Sequence, residues 1–173
     1  MSASKRRTNI ISMIEGALCI ALALVLTRLN LFVMPQGGSV DLELVPLLLF
    51  AYRRGAKLGI LVGALTGIMK VLTGSYFLNI VQVVLDYPLA YAFAGIAAFF
   101  PRFLWLVLAA LGQLTSHVIS GAVFFAQYAP HGWNPWLYSL IYNAPVILAK
   151  YALSSIIAII LWRILQKAMP VTH

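Results

Sequence analysis

Only four acidic residues occur in this chain of 173 residues, which is 62% hydrophobic. One of them, Asp86, lies inside a long apolar segment, and Asp41 follows a polar, Gly-rich segment. A carboxylate in an apolar membrane helix is expensive to bury and needs a partner, so it usually belongs to a functional site. The two aspartates therefore predict a binding site built on carboxylate chemistry.

Other polar and aromatic residues recur at helical spacing. His117, Gly121 and Phe125 follow one another every four residues, which places them on one face of a helix. Gly121 would leave room for a flat ligand between the two rings. Tyr138 and Asn143 are five residues apart, about 140° around a helix axis, so they share one cavity only if that helix end wraps the site.

The residue types indicate the class of ligand. Carboxylates and aromatic faces suit a cationic or aminated aromatic ring, which they bind by charge pairing, hydrogen bonds and stacking. No lysine or arginine is expected beside Asp86, His117, Tyr138 and Asn143, and the sequence has no P-loop signature. Both absences disfavour a phosphorylated ligand. The aromatic candidates are Tyr76, Tyr87, Phe125 and Tyr138.

Composition determines the fold class. Charged residues make up 9% of the chain, against about 25% in soluble proteins, which excludes a soluble fold. A membrane-spanning helix needs about 20 residues. We predict an all-α integral membrane protein with six transmembrane helices in one domain, residues 1–173. The second helix is short and is expected to tilt or to pack inside the bundle. The predicted helices are 10–29, 41–53, 57–73, 78–99, 103–127 and 136–166.

The net charge of +8 is explained by membrane topology rather than by nucleic acid, because the basic residues are scattered in short groups. A cytoplasmic N-terminus places nine of the twelve basic residues inside, as the positive-inside rule requires. With six spans, both termini are cytoplasmic and the candidate pocket opens to the outside. The nine residues are Lys5, Arg6, Arg7, Arg53, Arg54, Lys57, Arg102, Arg163 and Lys167.

Four segments together carry a family resemblance: MPQGGSV at 34–40, LDY at 85–87, HVISGAVFF at 117–125 and YSLIYNA at 138–144. In this order they resemble the thiamine-specific substrate-binding subunit, or S component, of energy-coupling-factor (ECF) transporters. The resemblance implies high-affinity capture of extracellular thiamine by a multi-pass protein of a prokaryotic cell membrane. It implies no enzymatic activity, metal or cofactor of its own. Uptake would require a coupling module, made of a transmembrane coupling protein and two ATPases that use ATP.

The resemblance also assigns roles to residues. Some relatives carry Glu where this chain has Asp41 or Asp86, and Trp where it has Gly37 or Phe125. Ala17 and Ala21 form a small-xxx-small pattern that would dock the coupling protein, with ordinary packing inside the bundle as an equal alternative. The first outer loop would close the site. The implied thiamine contacts are Gly38, Asp41, Tyr76, Asp86, Tyr87, His117, Gly121, Phe125, Tyr138 and Asn143.

Several alternatives stay open at this stage. The ligand could be another flat vitamin or a thiamine precursor, such as riboflavin or hydroxymethyl-pyrimidine. An intramembrane enzyme using His117 with Asp86 would normally need a nucleophile or a metal set, and neither is evident. A structural assembly subunit would not explain why four of the predicted helices carry hydrogen-bonding residues at a comparable depth beneath the outer surface. Lys150 lies deep in the last helix, and the spacing of the sequence identifies no acidic partner for it.

Overall fold

The structure is a computed structural model that describes residues 3–99 and 102–168. Within these ranges the chain forms six helices, as many as the sequence predicts. An antiparallel hairpin of β1 (Phe32–Val33) and β2 (Ser39–Val40) was not predicted. The helices are α1 (Ala3–Leu26), α2 (Leu44–Arg54), α3 (Ala56–Leu72), α4 (Ile80–Ile96), α5 (Arg102–Phe124) and α6 (Pro135–Ala168).

Several helix ends differ from prediction, and the largest difference is that α1 begins at Ala3 rather than at residue 10. Two other ends differ because of local structure. Helix α2 begins at Leu44 rather than at Asp41, because the carboxylate of Asp41 accepts the backbone N–H of Glu43 at 3.0 Å and holds a turn before the helix. Helix α5 ends at Phe124, and a short 3₁₀ turn follows it at Ala126–Tyr128. Asp41 thus belongs to the end of the first loop.

Helices α1, α5 and α6 are long and apolar enough to cross a bilayer, while α4 is apolar but shorter. Met13 and Leu18 on α1 are 74% and 65% exposed, as expected of a surface that faces lipid. Helix α2 has only 11 residues, most of them buried, so the expectation that it packs inside the bundle is confirmed. The six-helix arrangement therefore combines three long apolar helices with three shorter ones, of which α2 is mostly buried.

A stripe of glycines brings α3 against α4. Gly59, Gly63 and Gly67 recur every four residues and face the other helix. A side chain on Gly63 or Gly67 would collide with the backbone of Tyr91 or Tyr87. Small residues at this spacing allow such close approach in membrane helices. The stripe fixes the position of α4, which carries Asp86.

A buried cluster of charges joins four segments of the chain. Glu43, at the start of α2, is fully buried and accepts hydrogen bonds from Lys70 on α3 (2.5 Å), Tyr91 on α4 and Lys150 on α6. Lys150 also pairs with Asp41 at 3.2 Å. This charge cluster, Asp41, Glu43, Lys70, Tyr91 and Lys150, supplies the acidic partners of Lys150. Two carboxylates and two ammonium groups leave it with no net charge.

A second ion pair lies nearer the surface of the protein. Glu15 on α1 accepts hydrogen bonds from Arg54 at 2.6 Å and from Arg53 at 3.3 Å, and its side chain is 26% exposed. Exposed pairs of this kind contribute little to stability, whereas removing one partner of a buried pair leaves an uncompensated charge. Glu43 and Glu15 therefore allow the stability cost of losing a buried carboxylate to be compared with that of losing one near the surface.

We expect Glu43→Gln to destabilise the protein by about 3–5 kcal/mol, because Lys70 and Lys150 lose their shared carboxylate in a buried site. Glu15→Gln, the same chemical change near the surface, should cost about 0–1 kcal/mol. Denaturant titration of the detergent-solubilised protein measures both. Equal losses for the two variants would contradict a structural role for the charge cluster.

Candidate functional site

One cavity of about 610 Å³ opens between the first loop and helices α3 to α6. Its size falls in the range of small-molecule sites. Nine of the ten residues predicted to bind the ligand line this cavity: Gly38, Tyr76, Asp86, Tyr87, His117, Gly121, Phe125, Tyr138 and Asn143. The tenth, Asp41, is fully buried in the charge cluster and is not part of the cavity wall.

Asp86 is the most extensively hydrogen-bonded side chain of the cavity wall. Its Oδ2 accepts hydrogen bonds from Gln82 Nε2 and from Ser120 Oγ, both at 2.7 Å. Its Oδ1 lies 3.0 Å from His117 Nδ1. An ionised carboxylate offers about four acceptor positions, so these three donors leave room for one from a ligand. The side chain is 16% exposed, which leaves this position accessible.

The contact with Asp86 determines which ring nitrogen of His117 donates a hydrogen bond. A carboxylate can only accept, so Nδ1 carries the proton and donates it. In the neutral ring, Nε2 is then an acceptor available to a ligand N–H or O–H. Among the described residues, no lysine or arginine lies within ion-pair distance of Asp86. The carboxylate is therefore held mainly by neutral donors and keeps its attraction for a cation.

Local helix geometry aims Asp86 and Tyr87 at the cavity. The segment Leu85–Leu89 forms one π-helical turn inside α4 and contains Pro88. Proline has no N–H for the regular helical hydrogen bond, and single π turns of this kind are frequent at functional sites. The Oγ of Ser116 donates to the carbonyl of Leu85 at 2.6 Å and supports the turn from α5.

Gly121 has a different role from the one predicted. The space that its side chain would occupy is filled by Ser139 of α6, so the glycine brings two helices together rather than making room for a flat ligand. Ser139 Oγ donates to the carbonyl of Val118 at 3.0 Å. Asn143 Nδ2 donates to the carbonyl of Ser139 at 2.9 Å. This close contact orients Asn143 toward the cavity.

Aromatic rings form part of the cavity wall. The Tyr76 and Phe125 rings are 5.8 Å apart, and Phe125 is stacked on Tyr128 at 6.3 Å. Tyr138 and Asn143 both line the cavity, despite their angular separation, because the lining face of α6 is broad. Such rings can stack on a flat ligand or hold a cation over their faces.

The expectation that no lysine accompanies the site is wrong. Lys70 and Lys150 both line the cavity. Sequence spacing gave no indication of this, because their partners Glu43 and Asp41 are distant in the chain. Both ammonium groups are engaged by these carboxylates, so the lysines belong to a neutral cluster.

Sequence reasoning missed the donors that hold Asp86. Gln82 lies one helical turn before it and is almost fully buried, so the i, i+4 spacing of two polar residues in an apolar helix was a usable signal. Ser120 gave no such signal, since serine in a helix commonly bonds its own backbone. Tyr142, which also lines the cavity and contacts the first loop, lies in the YSLIYNA segment but was not predicted as a site residue.

Comparison with known proteins decides the family. Residues 13–170 match the model of the family described as Thiamine transporter protein (Thia_YuaJ). The chain belongs to this thiamine transporter family. It is therefore a multi-pass protein of the cell membrane, and the family's activity is transport rather than catalysis.

Individual relatives agree with the family match. The thiamine transporter ThiT of Bacillus subtilis is 35% identical, over 89% of this chain and 91% of the relative. ThiT of Lacticaseibacillus paracasei is 27% identical, over 88% of this chain and 87% of the relative. A solved structure of ThiT from Listeria monocytogenes matches with a TM-score of 0.79 and 26% identity, over 94% of this chain and 97% of that one.

Removing the Ser120 hydroxyl should weaken thiamine binding about fivefold, because Asp86 loses a hydrogen bond worth about 1 kcal/mol. Isothermal titration calorimetry of Ser120→Ala measures this loss. Ser155→Ala is the matched control, since the Ser155 hydroxyl is also buried but donates to Ala152 on its own helix. Wild-type affinity in Ser120→Ala would show that this serine does not support the carboxylate.

Proposed function

We propose that this protein is the S component of an ECF importer and captures extracellular thiamine in the cavity beneath the first loop. The observation that carries the proposal is Asp86, a cavity-facing carboxylate held mainly by neutral donors. Thiamine combines an aminopyrimidine ring with a cationic thiazolium ring. The amino group can donate to Asp86, His117 Nε2 can accept from the ligand, and the aromatic wall can hold the cation.

The proposed contacts are those of the cavity wall. Asp86, His117 and Asn143 supply hydrogen bonds, and Gly121 lets α6 come close enough to place Asn143. Asp41 acts indirectly, because it anchors the loop through Lys150 instead of touching the ligand. The remaining proposed contacts are Gly38, Tyr76, Tyr87, Phe125 and Tyr138. The subunit uses no cofactor of its own.

The proposed topology has six spans with both termini in the cytoplasm, in a single domain over residues 1–173. Three long apolar helices and the distribution of basic residues support it. In this orientation the aromatic wall and the first loop face outward. ATP is then used by partner subunits, a pair of cytoplasmic ATPases that act through a transmembrane coupling protein.

The α1 surface supports docking of that coupling protein. Ala17 and Ala21 are exposed, whereas Gly16 and Ala23 of the same helix are buried against the bundle. The small-xxx-small pattern therefore faces away from the protein's own core. This exposure favours contact with a partner helix over packing inside the bundle.

Asp86→Asn should weaken thiamine binding by about 1–3 kcal/mol, or roughly five- to 150-fold, because a charge-assisted hydrogen bond is lost. Calorimetry with the purified protein measures the affinity. Glu15→Gln carries the same change from acid to amide far from the cavity and should bind as the wild type does.

The identity of the ligand is tested with the unmodified protein. If its affinity for thiamine were weaker than micromolar, the thiamine proposal would be overturned. Full affinity for hydroxymethyl-pyrimidine alone would identify a precursor carrier.

A double substitution, Ala17→Leu with Ala21→Leu, should abolish most thiamine uptake and leave binding unchanged, because the added bulk keeps the coupling protein away. Uptake of labelled thiamine by cells that also produce a coupling module reports the first effect, and calorimetry reports the second. Ala152→Leu, at an exposed alanine on α6, is the control for added bulk on the lipid surface. Unimpaired uptake by the double variant would exclude this docking face.

A further inference from the structure

The first loop is an ordered hairpin that covers one side of the cavity. We call residues 31–40 the lid. Leu31 N–H donates to the Val40 carbonyl at 2.9 Å, and Met34 N–H donates to the Gly38 carbonyl at 2.9 Å. Gly37, with a φ of +94°, adopts a conformation that most other residues avoid. The lid therefore has a defined tip that can be held or released as a unit.

One side chain holds the tip of the lid. The Tyr142 hydroxyl accepts the backbone N–H of Gln36 at 2.8 Å and donates to the carbonyl of Gly37 at 3.0 Å. Both the donor and the acceptor capacity of the hydroxyl are thus used on adjacent residues of the lid. The Tyr142 ring lies 5.9 Å from that of Tyr138, which keeps it in place on α6.

The base of the lid is held separately and more firmly. Ser39 Oγ donates to Asp41 Oδ2 at 2.8 Å, and Asp41 pairs with Lys150. Asp41 and Lys150 are buried, whereas the contacts of Tyr142 with the tip are exposed. Tyr142 and Lys150 are eight residues apart and lie on one face of α6. Two separate sets of contacts therefore hold the lid to α6, and the set at the tip is the exposed one.

We propose that Tyr142 is a positioning residue that latches the lid over the cavity and sets the rate at which a bound ligand leaves. This inference rests on the proposed function, since it assigns a kinetic role at the same site. Exposed hydrogen bonds contribute only modest net stability, because water replaces them when they open. The tip can therefore open while the base stays in place.

The first test measures binding kinetics. Tyr142→Phe keeps the ring and removes both hydrogen bonds to the lid. We expect thiamine to dissociate about tenfold faster from this variant, because the latched lid is a barrier to exit. Association should accelerate too, because the Tyr142 contacts with the lid form without a ligand. Stopped-flow fluorescence measurements on purified protein give both rates. An unchanged dissociation rate would overturn the latch.

The second test needs no ligand. Hydrogen–deuterium exchange in the peptide covering residues 31–40 should be faster in ligand-free Tyr142→Phe than in the wild type, because the Gln36 N–H loses its acceptor. If the hydroxyl instead acted only by touching the ligand, dissociation would accelerate while exchange in the ligand-free lid stayed the same. That combination would also overturn the latch.

Tyr151→Phe is the matched control. Tyr151 lies on the same helix and is buried, and its hydroxyl has no hydrogen-bond partner in the described part of the chain. This variant should match the wild type in both tests. If the wild type bound no thiamine but lid exchange still responded to Tyr142→Phe, the proposed function would fail and the latch would stand.

Discussion

The cost of burying a carboxylate in an apolar bundle governs this structure. The chain has only four acidic residues, and each is paired with donors in the fold. A buried charge without partners would neutralise or destabilise the fold, so each acid dictates what must surround it. Glu43 determines how four segments meet, because it needs Lys70, Tyr91 and Lys150 at the same place. The lid then depends on the same cluster through Asp41.

The bundle satisfies its carboxylates in two different ways. Asp41 and Glu43 face ammonium groups, which cancel their charge and leave a rigid base beneath the cavity. Asp86 is held by an amide, a hydroxyl and an imidazole. Neutral donors orient a carboxylate without cancelling its field, so it can still attract a cation. This difference separates a residue that holds the structure together from one that can bind thiamine.

Close helix contacts bring the cavity-lining groups together. The glycine stripe of α3 fixes α4, and the π turn around Pro88 directs Asp86 into the cavity. Gly121 brings α5 and α6 together, which orients Asn143. The cavity is thus shaped mainly by backbones in contact, since small residues in membrane helices allow packing that larger side chains would prevent.

Composition and periodicity alone determined that this is a helical membrane protein, and the scarcity of acids identified Asp86. Those features are local, because hydropathy and helical spacing act over one or two turns. Sequence spacing could not pair Lys150 with Glu43, 107 residues away, nor show that Asp41 lies beneath the cavity. Such contacts depend on how separate helices pack. Only the tertiary structure could therefore show which carboxylate faces the cavity and which is buried in an ion pair.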